Sequence, residues 1–275
     1  MDVHRTAIVA DGAELGEDVE IGPYCLIGPM VRLGNGCHLL SHVVIDGDTW
    51  LGEHCCVYPQ AVLGTTPQDK KLHSQPEPSK LRIGDANQIR EGVTIHGGTP
   101  HGINVTRIGN NNMFLAGSHV GHDTIIGNHT VFTNGAMAAG HTEIQDHAIL
   151  GAMVGVHQFT RVGQMSMIGA GAMLSKDAPP YSLVQGDRAR LVSVNTVGLR
   201  RAGFSGDEIA AVKHAYRSLF WRGGILEQRV EEFKELGHQH PQVQAIFDFI
   251  GGSHRGLVMP QCKHELTESE HLYEG

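Results

Sequence analysis

An apolar residue returns at every sixth position along the first two-thirds of the chain. From Val3 the series runs through Val9, Leu15, Ile21, Ile27, Leu33, Leu39, Ile45, Leu51 and Val57 to Leu63. It resumes at Ile83, Ile89 and Ile95. It starts again at Ile108 and passes through Phe114, Val120, Ile126, Phe132, Ala138, Ile144, Leu150, Val156, Val162 and Ile168 to Leu174. Neither helical periodicity nor the alternation of an isolated strand keeps a strict six. A short strand followed by a tight corner does, with one aliphatic side chain directed inward per side. Three such sides close a triangular coil of roughly eighteen residues, and stacked coils make a parallel β-helix. One coil cannot cover its own anchors, so many must stack, each buried aliphatic contributing about 1.5–3 kcal/mol. Glycine often follows the anchor, as at Gly16, Gly22, Gly28, Gly34, Gly52, Gly84, Gly109, Gly127, Gly151, Gly163 and Gly169. It is expected there because a corner needs positive φ and close backbone approach. The period alone leaves the hand of the coil open.

Two breaks interrupt the beat. The first, about Gly64 to Leu81, reads GTTPQDKKLHSQPEPSKL. The second, roughly Gly97 to Arg107, reads GGTPHGINVTR. Both are polar, aperiodic and expected as loops extruded from a coil, a common place for function on a rigid scaffold. After Leu174 the beat stops, Pro179 and Pro180 mark the exit, and helical spacing begins. Ser205 to Glu208 forms a capping-box pattern. It leads a first helix through Ile209, Val212, Tyr216, Leu219 and Phe220, ended by Gly223 and Gly224. A second is expected through Ile225, Leu226, Val230, Phe233 and Leu236, stopped by Gly237. A third starts at Pro241 and carries Val243, Ile246, Phe247 and Ile250. The organisation expected is a β-helix over residues 1–187, with loops near 64–81 and 97–107. A helical domain of about three helices follows over 188–259, then a polar tail over 260–275.

Composition narrows the function. The formal net charge of -8 argues against nonspecific nucleic-acid binding. The sequence has no stretch long enough to span a bilayer and no apolar N-terminal run, so a cytoplasmic protein is expected. Its five cysteines, Cys25, Cys37, Cys55, Cys56 and Cys262, lack CxxC spacing and are expected as reduced thiols. Cys25, Cys37 and Cys55 share one offset from their anchors and are expected as small inward packing residues. Arg200, Arg201, Lys213, Arg217, Arg222 and Arg229 gather around the first helical stretch. They read either as a solvated face or as a dock for an acidic partner.

Of nineteen histidines, His119, His122, His141 and His157 stand out within the longest unbroken run. His122 lies two residues past its anchor, Val120, and His141 three past Ala138, so the two sit on neighbouring coils near one edge. Such a group could hold a metal or supply a general base with helpers. Asp123 directly follows His122, and a carboxylate beside an imidazole fixes its tautomer and raises its basicity.

The ordered set of motifs resembles the UDP-N-acetylglucosamine 3-O-acyltransferases that open lipid A synthesis. The likeness runs through about Leu257. It rests on the hexapeptide phase, Pro67 to Lys71, Ile89-Arg90-Glu91 with Thr94-Ile95-His96, and His119-x-x-His122-Asp123. Ala139-Gly140-His141, Val156-His157-Gln158-Phe159 and Gly198-Leu199-Arg200-Arg201 complete it. The resemblance implies a left-handed β-helix and a homotrimer with each site between two subunits. It implies that His122 is the base, that Asp123 orients it and that the Gly140 N–H holds the oxyanion. Asp69, Lys71, His141 and Gln158 would hold the nucleotide sugar. His157, Asn195 and Arg201 would reach its uridine and phosphates, while His96 and His119 would line the groove. Ala170 falls where the family sets acyl length, and its small side chain leaves room for a medium-to-long 3-hydroxyacyl group. No cofactor or metal is implied, because the acyl carrier protein thioester is a co-substrate and the basic helices would meet that acidic carrier. Val197 stands where the family often has an acidic residue and Ala202 where it has a basic one, so nucleotide contacts near the helices could differ. The same scaffold could acylate a 3-amino sugar on nitrogen. An N-acyltransferase acting later in the pathway would bring an extra N-terminal domain, for which a beat starting at Val3 leaves no room. A zinc enzyme of the γ-type carbonic anhydrase kind needs three converging imidazoles, with its close pair five apart rather than three. A non-catalytic trimeric scaffold is the remaining alternative.

Overall fold

The computed structural model describes residues 1–72 and 79–261. Its first part is a left-handed parallel β-helix, each anchor closing a short strand. Strands on equivalent sides pair in parallel across neighbouring coils, as Val3 with Ile21 and Val120 with Ala138. They build three flat faces: a first sheet of 11 strands, a second of 9 and a third of 8. The loops follow Leu63 and Ile95, both anchors of the second sheet. They therefore leave the same corner that carries His122 and His141. Each break is shorter than the sequence suggests, since regular strands resume at Lys80–Ile83 and Thr106–Ile108. Residues 73–78 of the first loop lie outside the described residues, as do Cys262 and the tail over 262–275.

The core differs from a single-anchor stack in one respect. From Ile21 onward the residue two before each anchor is also inward and buried: Val19, Cys25, Val31, Cys37, Val43, Cys55, Asn87, Thr130, Ala148 and Ser166 are all at most 1% exposed. Cys25, Cys37 and Cys55 pack inward as expected. At the open N-terminal end the stack lacks a neighbour below, so Val3 is 38% exposed and Val9 and Leu15 are half-buried.

The glycines after the anchors work by one of the two expected means only. None of those named above has positive φ, although Gly64, after Leu63 at the mouth of the first loop, does, at 75°. A Cβ at Gly22 would fall 1.4 Å from the Leu40 carbonyl oxygen, and one at Gly34 2.6 Å from the Gly52 backbone. Close approach between coils excludes a side chain there. The left-handed corner positions are instead filled largely by other residues, among them Asp18, His42, His54, Asp123, His141 and Phe159.

Ser182–Gln185 pairs antiparallel with Arg190–Val194, extending the first sheet into the helical part. Five helices follow among the described residues: α1 (Thr196–Arg201), α2 (Gly206–Phe220), α3 (Leu226–Glu232), α4 (Lys234–Gln239) and α5 (Pro241–Gly251). The capping box at Ser205 and Glu208 is formed, and Pro241 opens α5. The expected second helix is two, broken at Phe233, and Gly237 lies inside α4 rather than stopping it. A Cβ at Gly237 would meet the Phe247 ring at 2.9 Å, so this glycine lets α4 close on α5.

Candidate active site

The corner leaving the second sheet stacks Asp123, His141 and Phe159 on successive coils. Each has left-handed backbone, with φ of 57°, 60° and 63°. The same conformation recurs at other corners of the coil and is not special to this one. Here it aligns an acid, an imidazole and a phenyl ring along one edge. His141 stacks flat on Phe159, with centroids 4.6 Å apart at 6°, and the His122 ring meets His141 edge-on at 5.0 Å. The His141 N–H donates to the His122 carbonyl at 2.9 Å, locking the two coils in register.

His122 points Nδ1 at Asp123 Oδ2, 2.8 Å away, and its side chain is 11% exposed while that of Asp123 is fully buried. The second loop closes over the carboxylate. The Thr99 N–H donates to Oδ1 at 3.0 Å and Oδ2 at 3.1 Å, the Thr99 hydroxyl to Oδ2 at 2.7 Å and the Asn104 N–H to Oδ1 at 3.0 Å. Burial pushes the Asp123 carboxyl up, but the hydrogen bonds from His122 and Thr99 outweigh it and hold the group below the ordinary carboxylate value. An ionised Asp123 fixes the proton of neutral His122 on Nδ1, which leaves Nε2 with a free lone pair.

That Nε2 faces Gly140. A Cβ at position 140 would lie 2.7 Å from both Cε1 and Nε2 of His122. Among the described residues the Gly140 N–H donates to no acceptor. A lone pair able to take a proton and an unused backbone donor thus stand side by side, as general-base acyl transfer through an oxyanion requires.

Next to this pair, His119 is half-buried, its Nδ1 2.7 Å from the Thr94 hydroxyl, and its ring meets His96 edge-on at 4.9 Å. Burial, then the nearby charges of His119 and His122, lower His96 to about 4, so it stays neutral through the physiological range. Burial also lowers His119 and His141. Asp69 and Lys71, on the first loop, lie close enough to His141 to push it in opposite directions. Asp69 Oδ1 accepts from the Lys71 N–H at 2.9 Å. His157 and Gln158 are exposed one coil beyond Ala139 and Gly140.

Three other expected site residues lie apart from this cluster. Asn195 caps α1, its Oδ1 accepting from Gly198 N–H at 3.0 Å and its Nδ2 donating to the Met165 carbonyl at 2.9 Å. Arg201 is exposed in the last turn of α1. Ala170 is exposed at the corner between the first and second sheets, across the second face from His122. The proposed basic dock loses Arg229, which is 7% exposed and donates to the Arg222 carbonyl. Arg222 itself pairs with Glu232 at 2.9 Å. Arg200, Arg201 and Arg217 remain exposed, with Lys213 half-buried.

His122, Asp123 and His141 bring metal-ligating atoms within 4.8 Å of one another. The donor set does not suit a cation. A carboxylate offers about four lone-pair sites, and those of Asp123 already accept from Thr99, Asn104 and His122. His119 does not join the group, so three imidazoles do not converge. Sequence reasoning missed Thr99, Asn104 and Phe159. Phe159 was findable, one coil beyond His141, whereas Thr99 lies in an aperiodic loop with no register to place it.

A hexapeptide-coil prism with an acid-backed imidazole at one corner, closed by a small helical domain, defines a β-helical acyltransferase. Comparison with known proteins narrows the class. A family model described as UDP N-acetylglucosamine O-acyltransferase, domain 2, matches residues 177–258. An acyl-[acyl-carrier-protein]–UDP-N-acetylglucosamine O-acyltransferase of Myxococcus xanthus is 45% identical over 256 residues, covering 93% of this chain and 98% of its own. The UDP-N-acetylglucosamine acyltransferase structure of Francisella novicida matches with a TM-score of 0.92 at 37% identity, over 96% of this chain and 95% of that one. The Arabidopsis structure matches at 0.82 and 32%, over 94% and 99%. The chain belongs to the family of acyl-[acyl-carrier-protein]–UDP-N-acetylglucosamine O-acyltransferases. No helix among the described residues is long and apolar enough to cross a membrane.

Proposed function

We propose that this chain transfers a 3-hydroxyacyl group from acyl carrier protein to the 3-hydroxyl of UDP-N-acetylglucosamine, the opening step of lipid A synthesis, in the cytoplasm. The observation that carries the reading is the free Nε2 of His122 beside the unused Gly140 N–H, backed by buried Asp123. Nε2 removes the proton of the sugar hydroxyl as its oxygen attacks the thioester carbonyl. The oxyanion accepts from the Gly140 N–H. Collapse breaks the carbon–sulfur bond, and the proton on His122 passes to the departing thiol. The reaction needs no cofactor beyond the carrier thioester. General-base help of this kind contributes about 10²–10⁴-fold and an oxyanion donor roughly 10²–10³-fold.

The nucleotide sugar lies along the same corner, with Asp69, Lys71, His141 and Gln158 at the sugar, and His157, Asn195 and Arg201 toward uridine and phosphates. His96 and His119, neutral and half or fully buried, line the groove. Ala170 limits the acyl chain from the opposite edge of the face. Arg200, Arg201, Lys213 and Arg217 meet the acidic carrier. The working unit is a homotrimer. Its support is the outer column of the second face, Ile8, Leu26, Val44, Val62, Thr94, His119, Met137, Gly155 and Met173, which carries no Asp, Glu, Lys or Arg. The third face instead presents Glu14, Arg32, Arg82, Arg107, Glu143 and Arg161.

The test is a panel of 3-hydroxyacyl and unsubstituted acyl carrier proteins of graded length, offered with UDP-N-acetylglucosamine or its 3-amino analogue. Ester formation on the 3-hydroxyl, fastest with a medium-to-long 3-hydroxyacyl donor, is expected. Transfer to the amino sugar alone, or no transfer from any donor, overturns the reading.

A further inference from the structure

The second loop leaves the corner one coil below His122 and bends back over Asp123. Two glycines allow this path. A Cβ at Gly102 would fall 2.3 Å from the Asp123 carboxyl carbon, and one at Gly98 1.9 Å from the Val105 nitrogen. The loop is pinned at its base by the Ser79 hydroxyl, which donates to the Gly98 carbonyl at 3.1 Å, and by Gly98 N–H to the Lys80 carbonyl at 2.9 Å. Thr99 is 1% exposed. Its hydroxyl and the His122 ring converge on one oxygen, Oδ2, at 2.7 and 2.8 Å. The hydroxyl is the only side-chain group besides His122 that donates to this carboxylate among the described residues.

We infer that Thr99 is a positioning residue for the reaction: its hydroxyl holds the Asp123 carboxylate against His122 Nδ1 and limits how strongly that carboxylate stabilises protonated His122. The inference rests on the reading of His122 as the base. A carboxylate that shares its charge with a second donor is a weaker partner for imidazolium. Removing the hydroxyl takes away the shorter of the two Thr99 bonds to Oδ2 and leaves that oxygen to His122 and the Thr99 N–H at 3.1 Å. His122 then holds its proton to higher pH, and the fraction present as free base falls. Asp123 also loses one of the bonds that set its orientation. The other titratable groups facing His122 are His141 edge-on at 5.0 Å and the neighbouring His119 and His96, with Asp69 and Lys71 acting through His141. His141 also faces the carboxylate, its Nε2 3.9 Å from Oδ2, whereas the Thr99 hydroxyl bonds to Asp123 and to none of these imidazoles, so the substitution acts through the carboxylate.

The experiment is the pH dependence of acyl transfer by the full-length Thr99→Val, Thr99→Ser and His122→Ala proteins beside the unmutated one. For T99V the expectation is a fall in kcat of roughly tenfold, with KM for both substrates within about twofold. The acid limb of the profile should move up by about half a pH unit. T99S keeps a hydroxyl and restores both kcat and the limb. Should T99V not fold, Thr99→Ala removes the same hydroxyl without a methyl against the carboxylate and carries the same expectation. An unmoved acid limb, whatever happens to kcat, overturns the inference, as does a T99S profile that matches T99V. An inactive H122A beside a T99V protein of unmoved profile removes only the role of Thr99. An active H122A removes the base assignment itself.

Discussion

A methyl group at position 140 would stand 2.7 Å from Cε1 and Nε2 of His122, directly over the ring nitrogen that no other group engages among the described residues. The Gly140 backbone does not need positive φ, so alanine there is not strained by conformation. Its effect should fall on chemistry. Gly140→Ala is expected to lower kcat by about 100-fold or more while leaving the thermal unfolding midpoint within a few degrees. Steady-state kinetics and calorimetry on the one variant check both halves, and full activity would show that Nε2 is not the reacting edge. The His122-Asp123 pair was legible in the sequence because its members are adjacent and sit at a readable offset from Val120. Gly140 was placed by resemblance, and only the structure gives it a physical reason. The support from Thr99 and Asn104 was not legible, because a loop contact reaches across about one coil without any periodic mark.

At the scale of elements, the six-residue beat carried the β-helix almost completely, since each anchor lands in a strand and pairs with its counterpart one coil away. It showed the second inward column only at Cys25, Cys37 and Cys55 and not as a continuous row. That column mixes valine, alanine and cysteine with threonine, serine and asparagine, so hydrophobicity alone cannot see it. Two of its asparagines serve the backbone: Asn87 Nδ2 donates to the Gly84 and Gly109 carbonyls at 2.8 and 2.9 Å, and Asn112 Oδ1 accepts from the Thr130 N–H at 2.7 Å. The helical end was read well where local signals decide, as in the capping box of α2. It was misread where packing decides. Gly237 resembles a helix stop in sequence, but it is the contact point that lets α4 and α5 close.

For the whole molecule, the three faces are chemically unequal. The outer column of the second face is uncharged from Ile8 to Met173, and Leu26, Met137 and Met173 remain 44–46% exposed in the single chain. Apolar side chains on a flat sheet face are a ready surface for a second copy. Met137 lies one coil beyond His119 on that face. On the proposed trimer, Met137→Glu is expected to leave monomers in light-scattering chromatography, because an unpaired carboxylate would be desolvated in each interface. A trimer of unchanged mass would mean that the copies meet through another face.

The central claim concerns the single imidazole at the corner of this prism. The most direct measurement is the initial rate of acyl transfer to UDP-N-acetylglucosamine by His122→Ala beside the unmutated protein, with oligomeric mass and circular dichroism recorded for both. A loss of about 10²–10⁴-fold in kcat with mass and spectrum unchanged is the predicted result. A variant that keeps kcat within a few-fold of the unmutated protein would contradict the account.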